Sequence, residues 1–340
     1  MKSFLISVFK WGAMILLFAF LFSRAAANGA LRGFLGVQKD WRFLFLGFAA
    51  VFGAVLITFF RWRLLNNALG IPQTVASALR LGFIGYLFNF LPVGIVGGDV
   101  VKGIMLARRY PESKAACAAS IVMDRVLGLY VMFLFGLGAA WATGFWQSTQ
   151  PQARFAYHAL LWLTAILTAG LLLLFFPSSG KDRRRRFFAA VPGAGSVLLR
   201  LYDAAARYRG QKSVLLRAGL ETLAVHALLG TGIFFTALGL WGRAPSMADH
   251  FVIYPIANTG SMIPLSAGPF EFFLDQLYPL FPCAGGESYP LGAGLLVGVA
   301  YRFLTLAIAA IGGICFLVTR DSRLEPLASG TLFDTEGKTP

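Results

Sequence analysis

Apolar residues in this chain are gathered into runs about as long as a lipid bilayer is thick. A helix needs roughly 20 apolar residues to cross the hydrocarbon core of a membrane, and six uninterrupted runs come close to or exceed that length. They are residues 4–23, 43–60, 116–141, 155–176, 214–241 and 291–318. The pattern therefore predicts an all-α protein, a polytopic transmembrane helix bundle with six full spans.

Two further apolar stretches, residues 81–99 and 250–275, are interrupted by proline and glycine. Proline removes a backbone donor and clashes with the preceding turn, and glycine weakens a helix, so neither stretch predicts one straight helix. In hydrocarbon every freed backbone group needs a partner. Such breaks are therefore expected only where they are buried in protein or line a wet cavity.

Basic residues lie between the apolar runs and predict which side of the membrane each loop faces. Residues 177–217 contain ten lysines and arginines against two aspartates. Cytoplasmic loops carry an excess of basic residues, so the basic loop, residues 177–213, is predicted to be cytoplasmic. Basic residues also flank the stretch 81–99 and follow the last run, whereas residues 143–153 and 276–290 contain none. We therefore expect both termini in the cytoplasm.

These loop positions require each interrupted stretch to begin and end on one side of the membrane, 81–99 inside and 250–275 outside. Both are then re-entrant hairpins, and the order of elements repeats once in reversed orientation. This is an inverted-topology repeat with halves at about residues 1–145 and 150–320. Half-helices of such repeats meet near the midplane and form a binding site.

Two features of the N-terminal region leave alternatives open. The first loop, predicted to lie outside, is basic, so the alternative to the hairpins is eight full spans with shorter, kinked helices. Its basic residues are Arg24, Arg32, Lys39 and Arg42. The first run also resembles a cleaved secretory signal, because Lys2 and Lys10 precede it and small residues follow it. Its length exceeds the roughly 7–15 apolar residues of such signals, which favours a span.

Residues 1–320 are predicted to form one membrane domain. Inside the basic loop, residues 196–209 have apolar and charged positions at helical spacing, which predicts an amphipathic helix lying flat at the lipid head groups. The polar tail, residues 321–340, is expected to be disordered.

Composition excludes a soluble globular protein. Of the 340 residues 57% are hydrophobic and 13% are charged, whereas soluble domains contain roughly 45–50% apolar and about 25% charged residues. The net charge of +15 does not predict nucleic-acid binding, because the basic residues lie between the apolar runs. In that position they set topology and contact anionic lipid head groups.

The sharpest group of polar residues belongs to the first interrupted stretch and the span after it. Ionisable side chains at membrane depth are costly and usually face a partner or a cavity. Paired glycines let backbone amides approach a ligand, and amides at a helix start favour phosphate. The alternative is that the charged residues cap helices or pair with each other at the cytoplasmic interface. The candidate binding residues are Asn89, Gly97, Gly98, Asp99, Lys102, Asp124 and Arg125.

The second interrupted stretch repeats this order. Asn258 precedes a proline–glycine break, Glu271 follows the break, and Arg302 lies in the last span. Arg302 is about halfway along its run, too deep for an interface residue, so it needs a partner. Glu271 is the expected partner, and a phosphate is the other possibility. Asn258, Glu271 and Arg302 complete the predicted substrate-binding residues.

No cofactor or metal is predicted. Cys117, Cys283 and Cys315 lie far apart and form no cluster with the three histidines, so neither a disulfide framework nor a zinc site is expected. No nucleotide-binding or catalytic motif occurs in a supporting context. The chain is therefore not predicted to be an enzyme, although Asp99 with Asp124 could hold a metal in an intramembrane transferase acting on a lipid phosphate.

Three segments carry a family resemblance. They are FNFLPVGIVGGDVVKGIMLARRY with ASIVMDRVLG after it, IPLSAGPFEFFLDQL, and YRFLTL around Arg302. They resemble the lysylphosphatidylglycerol synthase transmembrane region family over roughly residues 5–320. In the multidomain synthases this region translocates lipid, and a separate soluble domain transfers the amino acid. The resemblance implies a stand-alone flippase-like module, although Ser266-Ala267 before Gly268 departs from the expected glycine-rich form.

We therefore expect a multi-pass protein of a bacterial inner membrane that translocates a phospholipid or a lipid-linked head group. The predicted partners are membrane lipids, anionic phospholipid or lipid phosphate, and a homo-oligomer or a membrane enzyme partner is also considered. The alternative function is a non-catalytic accessory protein that recruits a lipid- or glycan-modifying enzyme through the basic loop.

Single cysteines in a cysteine-free chain test the predicted topology. We expect Ser148→Cys, Ser246→Cys and Ser288→Cys to react with an impermeant maleimide from outside, and Ser178→Cys to be protected, because the hairpins return to the side from which they enter. Positions 246 and 288 reacting from opposite sides would contradict the second hairpin.

Overall fold

A computed structural model describes residues 2–90, 95–175, 186, 189–190, 195–263, 265, 267–283 and 286–318. Its helices are, in chain order, α1 (Lys2–Ala27), α2 (Ala30–Gly36), α3 (Trp41–Ala68), α4 (Val75–Phe88), α5 (Ile95–Arg109), α6 (Lys114–Ala142), α7 (Pro151–Phe175), α8 (Gly195–Tyr208), α9 (Lys212–Trp241), α10 (Met247–Asn258), α11 (Pro269–Leu277) and α12 (Ala293–Val318). Short 3-10 turns lie at Pro111–Ser113, Phe145–Gln147, Thr259–Met262 and Tyr278–Leu280. No strand occurs in this part of the chain, so the predicted all-α class is confirmed.

Five helices are long and apolar enough to cross a membrane, namely α3, α6, α7, α9 and α12. A sixth candidate is α1 together with α2, which are bent by 71° at a short break. Gly29 lies in that break at φ 72°, a left-handed conformation that glycine adopts without a steric penalty. The six candidates coincide with the six predicted runs, and the chain is a multi-pass helical membrane protein.

The N-terminal helix packs against the rest of the bundle. Leu21 and Ala25 of α1 are fully buried in one cluster with Ala30 of α2 and Leu295 of α12. Leu17 lies against Gly268 at the start of α11. These contacts place α1 in the bundle, and that the first run is a span instead of a cleaved signal stays a prediction.

The first interrupted stretch folds as two antiparallel helices, α4 and α5, which we call the first hairpin. Gly85 of α4 faces Gly98 of α5, and a Cβ at Gly85 would lie 2.9 Å from Gly98 O. At the other end of the pair, Arg109 donates to Ser77 (3.2 Å). The arms contain 14 and 15 residues, which at 1.5 Å per residue is shorter than the roughly 30 Å of hydrocarbon.

The second interrupted stretch folds in the same way, as α10 and α11, which we call the second hairpin. His250 near the start of α10 contacts the hydroxyl of Tyr278, which follows α11 (3.0 Å). Gly260, just after α10, lies against Pro269 at the start of α11. The arms contain 12 and 9 residues, and each is therefore too short to cross a membrane alone.

Helices α3 and α9 form the central pair and run in opposite directions. A Cβ at Gly47, early in α3, would lie 3.1 Å from the carbonyl oxygen of Gly232 in α9. Arg61, late in α3, donates to Thr222, early in α9 (2.8 Å). Glycine at such contacts lets two membrane helices approach closely, and dispersion forces then hold them together.

Helix α6 runs with α9 and against α3, because both α6 and α9 are antiparallel to α10. The contacts that fix these directions are Met132–Asn258 and Phe135–Phe251 for α6, and His226–Tyr254 and Phe234–His250 for α9. A single crossing between α3 and α6 would leave those two helices parallel. Their opposite directions favour the hairpin over one kinked span for residues 81–99. The depth of either hairpin in a membrane stays a prediction.

The two halves of the chain exchange partners reciprocally. The first arm of the first hairpin packs against α12, the last span of the second half, and the first arm of the second hairpin packs against α6, the last span of the first half. In the same way α1 contacts α12 and α7 contacts α6. A two-fold repeat produces this pattern, although the opposed membrane orientation of the halves stays a prediction.

The predicted amphipathic helix 196–209 is present as α8, but its apolar face has a different neighbour from the expected one. Helix α8 packs against α6 and α7, and Tyr202, Ala205 and Tyr208 are buried there. The Tyr208 hydroxyl donates to the carbonyl of Leu65 in α3 (3.0 Å). The apolar face therefore covers the bundle in part, and the position of the helix at the lipid head groups stays a prediction. Much of the basic loop, 176–185, 187–188 and 191–194, and the tail 319–340 lie outside the described residues.

Two neighbouring glycines of α12 provide a matched test of this packing. A Cβ at Gly312 would meet the backbone of Phe83 in α4, whereas a Cβ at Gly313 would have no neighbour within 4 Å. We expect Gly312→Ala to lower the free energy of unfolding by about 1–3 kcal/mol because two backbones must separate. Gly313→Ala is expected to be neutral or to stabilise by up to about 1 kcal/mol, since alanine favours a helix. Unfolding in mixed detergent measures both, and equal effects would contradict the α4–α12 contact.

Candidate functional site

Charged side chains from α3, α5 and α6 form one connected group, which we call the first charged cluster. Lys102 Nζ lies 2.8 Å from Asp99 Oδ1, one turn earlier in α5, and 3.9 Å from Asp124 Oδ2 in α6. Arg125 Nε pairs with Asp99 Oδ2. Arg61 Nε lies 2.8 Å from Asp124 Oδ1. Three cations thus alternate with two carboxylates, which leaves a net charge of +1.

The cluster is buried at one end and open at the other. The side chains of Arg61 and Asp124 are each 5% exposed, whereas that of Arg125 is 48% exposed. Lys102 Nζ also lies 4.8 Å from the ring centroid of Trp62, and an aromatic face attracts a cation. The cluster is therefore accessible at Arg125 and closed at Arg61 and Asp124.

Arg61 belongs to this cluster, although the sequence placed it only on the flank of a span. Its Nη1 donates to Thr222 of α9 and its Nη2 to the carbonyl of Asp124. The helix continues seven residues past Arg61, to Ala68, so the arginine lies inside α3 and needs a partner. The leucines after it, Leu64 and Leu65, were the signal that the helix did not end there.

Asn89 and the paired glycines lie where the two arms of the first hairpin meet. A Cβ at Gly98 would overlap the carbonyl oxygen of Gly85 and the side chain of Asn89, so close helix packing explains glycine at position 98. Gly97 is also buried, in the first turn of α5. Asn89 Oδ1 is buried and has no hydrogen-bond partner in the part of the chain that the structure describes. That the amides of this turn bind phosphate stays a prediction, and Pro92 and Gly94 lie outside the described residues.

Glu271 of α11 and Arg302 of α12 form a second ion pair, so the predicted pairing of these residues is confirmed. Glu271 Oε1 accepts from Arg302 Nε (2.8 Å) and Nη2 (2.6 Å). Its other oxygen accepts from the amide of Gly268 (2.7 Å), which has φ 105°. Glu271 is fully buried, and the side chain of Arg302 is 27% exposed. Pro264 and Ser266 in the break lie outside the described residues.

Asn258 and Asp275 serve the second hairpin in ways that the sequence did not predict. The Asn258 amide contacts Met132 Sδ (3.1 Å) and accepts from Ser261, which ties the hairpin tip to α6. Asp275 Oδ1 accepts from the amides of Gly292 (2.6 Å) and Leu295 (3.3 Å). Asp275 thereby holds the start of α12, since the first amides of a helix lack internal partners. Its position at the end of an apolar stretch gave no sign of this role.

The first charged cluster and the Glu271–Arg302 pair each place a hairpin carboxylate against an arginine of the following span. A guanidinium has five N–H donors in a planar fork, the geometry in which arginine binds carboxylate and phosphate groups. Among the described residues no group of three or more His, Cys, Asp and Glu could hold a metal ion.

One comparison with known proteins identifies a family. The family model described as "Lysylphosphatidylglycerol synthase TM region" matches residues 3–313. No curated protein and no solved structure matches the chain.

Asp124 is the position at which loss of charge should cost most, because it faces two buried cations. We expect Asp124→Asn to lower the free energy of unfolding by about 3–5 kcal/mol, the usual cost of breaking a buried ion pair from one side. Glu221→Gln is the control, since its partner Arg217 is 70% exposed and such pairs contribute about 0–1 kcal/mol.

A double-mutant cycle separates charge from packing at this position. Arg61→Gln with Asp124→Asn should recover part of the loss, because no uncompensated arginine then remains. If the losses of unfolding free energy in the two single variants simply add in the double variant, the two side chains do not interact.

Proposed function

Because the chain belongs to the lysylphosphatidylglycerol synthase TM region family, we propose that it moves a phospholipid or a lipid-linked head group between the leaflets of a membrane. The single observation that carries this proposal is the repeated pairing of a hairpin carboxylate with a partly exposed arginine, Asp99 with Arg125 and Glu271 with Arg302. We further propose a bacterial inner membrane, with both termini in the cytoplasm.

The charge balance of the first cluster supports an anionic head group. Its three cations exceed its two carboxylates, and a phosphate at Arg125 would neutralise the excess. An uncompensated charge is costly in a low-dielectric interior. Binding of an anion therefore lowers the cost of burying the cluster, whereas a cationic group alone would raise it.

The carboxylates weaken the binding of a head group to the arginines, so that the head group can be released again. While no lipid is bound, Asp99 and Glu271 hold the guanidinium groups in place. A phosphate competes with these carboxylates for the same N–H donors. Its binding therefore releases less free energy than binding to an arginine without a carboxylate partner would. Moderate binding of this kind suits translocation, because a head group that is to leave must not be bound tightly.

The two hairpins give the head group two successive positions. If they enter from opposite faces, each arginine serves one leaflet, and the reciprocal packing of the halves lets one rearrangement open one position while closing the other. Lipid tails would remain in the bilayer, since only the polar part needs a protein path across the hydrocarbon.

Reconstitution in vesicles that contain head-group-labelled lipid tests the proposal. The purified chain is expected to expose inner-leaflet phosphatidylglycerol to an impermeant quencher. Arg125→Gln and Arg302→Gln should each slow this exchange at least about tenfold, because each removes a charge-assisted hydrogen bond worth about 1.5–3 kcal/mol.

Arg217→Gln is the matched control. It breaks another arginine–carboxylate pair, with Glu221, on a largely exposed side chain, and it should exchange lipid at the wild-type rate. Exchange no faster than in protein-free vesicles, for anionic and aminoacylated lipids alike, would refute the proposal. Stable copurification with an enzyme, together with tolerance of Arg302→Gln, would favour an accessory protein instead.

A further inference from the structure

A groove separates α7 from the second hairpin, and neither charged cluster lines it. Its volume is about 530 Å³, within the range of roughly 300–1,000 Å³ for small-molecule sites. One wall is α7, from Pro151 to Leu163, and the other is formed by the ends of α10 and by α11. Helix α7 packs against α6 and α8, so it is held on one side only. We call this space the lateral groove.

The lateral groove is about as deep as one leaflet. The twelve steps from Pro151 to Leu163 correspond to about 18 Å at 1.5 Å per residue, and half of the hydrocarbon core measures about 15 Å. The far end of the groove lies at Ile256 and Thr259, at the tip of the second hairpin. The groove therefore runs from the end of a span towards the middle of the membrane.

The walls of the lateral groove are apolar, apart from Gln152, Thr259 and Gln276. Phe155, Leu160 and Phe272 are among the lining residues. The Thr259 hydroxyl at the deep end donates to the carbonyl of Ile256 (2.6 Å) and is thereby satisfied. Gln276 lies at the shallow end, and its amide Nε2 is buried without a hydrogen-bond partner among the described residues.

The lateral groove opens towards lipid. Side chains along α7 outside the groove are apolar and exposed, among them Trp162 and Ile166. An apolar space of this size would lose many dispersion contacts if it were empty, and water is not stable in it. In a membrane, the group that is available to fill this space is the hydrocarbon chain of a lipid.

We propose that the lateral groove binds one acyl chain of a phospholipid from the leaflet that contains the start of α7. The chain lies between α7 and the second hairpin, and its methyl end points to Thr259. The ester carbonyl at the other end lies beside the Gln276 side chain, whose amide donates to it after a rotation of that side chain. This site requires only that the protein is in a membrane, and it does not depend on lipid translocation.

Native mass spectrometry of the full chain, purified in mild detergent and titrated with dioleoyl phosphatidylglycerol, tests the site. Ala159→Phe places a ring in the lateral groove, and Ala165→Phe places the same ring on an exposed position of α7 outside it. We expect Ala159→Phe to weaken retention of the lipid at least about tenfold, a difference of about 1.4 kcal/mol. Ala165→Phe should retain it like the wild type. Equal retention by the two variants would overturn the proposal.

Chain length supplies a second measurement that needs no variant. Affinity for phosphatidylglycerol should rise as the acyl chains lengthen and then level off once the chain fills the groove, because further carbons find no wall to contact. A rise that continues without levelling off, or affinity independent of chain length, would mean that the lipid covers the outer surface only.

Gln276→Leu tests the polar end of the lateral groove. It should weaken binding of the ester lipid more than binding of an ether lipid of the same chain length, since an ether oxygen accepts hydrogen bonds less well than a carbonyl. Equal weakening of ester-lipid and ether-lipid binding would show that Gln276 does not donate to the ester carbonyl. Lipid retention without exchange in vesicles would refute the translocation proposal alone, and exchange without site-specific retention would refute the groove alone.

Discussion

The structure depends on Asp124, which lies between two buried cations, Arg61 and Lys102. A charge inside a membrane protein is tolerated only with a partner, so the helices that carry these side chains cannot separate without exposing one of them. Asp124 thereby joins α3, α5 and α6, and the hydrogen bond from Arg61 to Thr222 adds α9. Both halves of the chain therefore meet at one carboxylate.

Glycine makes the close approach of these helices possible. Hydrocarbon is as apolar as leucine, so membrane helices gain little from apolar burial and are held by close packing instead. The contacts of Gly47 with Gly232 and of Gly85 with Gly98 bring backbones together. The second hairpin is held against α12 in the same way, where Gly294 meets Leu274 and Gly298 meets Glu271. Ion pairs fix which residues face each other, and glycines set how near they come.

The sequence predicted the elements better than the contacts between them. Apolar run length located the spans, and the depth of Arg302 pointed to Glu271, because a charge in mid-membrane leaves few possible partners. Arg61 was misplaced since hydropathy falls there while the helix continues. Thr222 was missed because a hydroxyl in an apolar run has no distinctive pattern, and its partner lies 161 residues away. That the apolar face of α8 packs on the bundle also depends on tertiary structure, which the periodicity of the sequence does not report.

The order in which these partners are synthesised has a consequence for assembly. Arg61 precedes Asp124 by 63 residues and Thr222 by 161 residues. At about 5–20 residues per second, the ribosome delivers the carboxylate several seconds after the arginine, and the hydroxyl later still. During that interval the long side chain of Arg61 can reach the head-group region while the apolar part of α3 is already inserted. The burial of this arginine thus follows the arrival of the sixth helix, and its contact with Thr222 follows the arrival of the ninth.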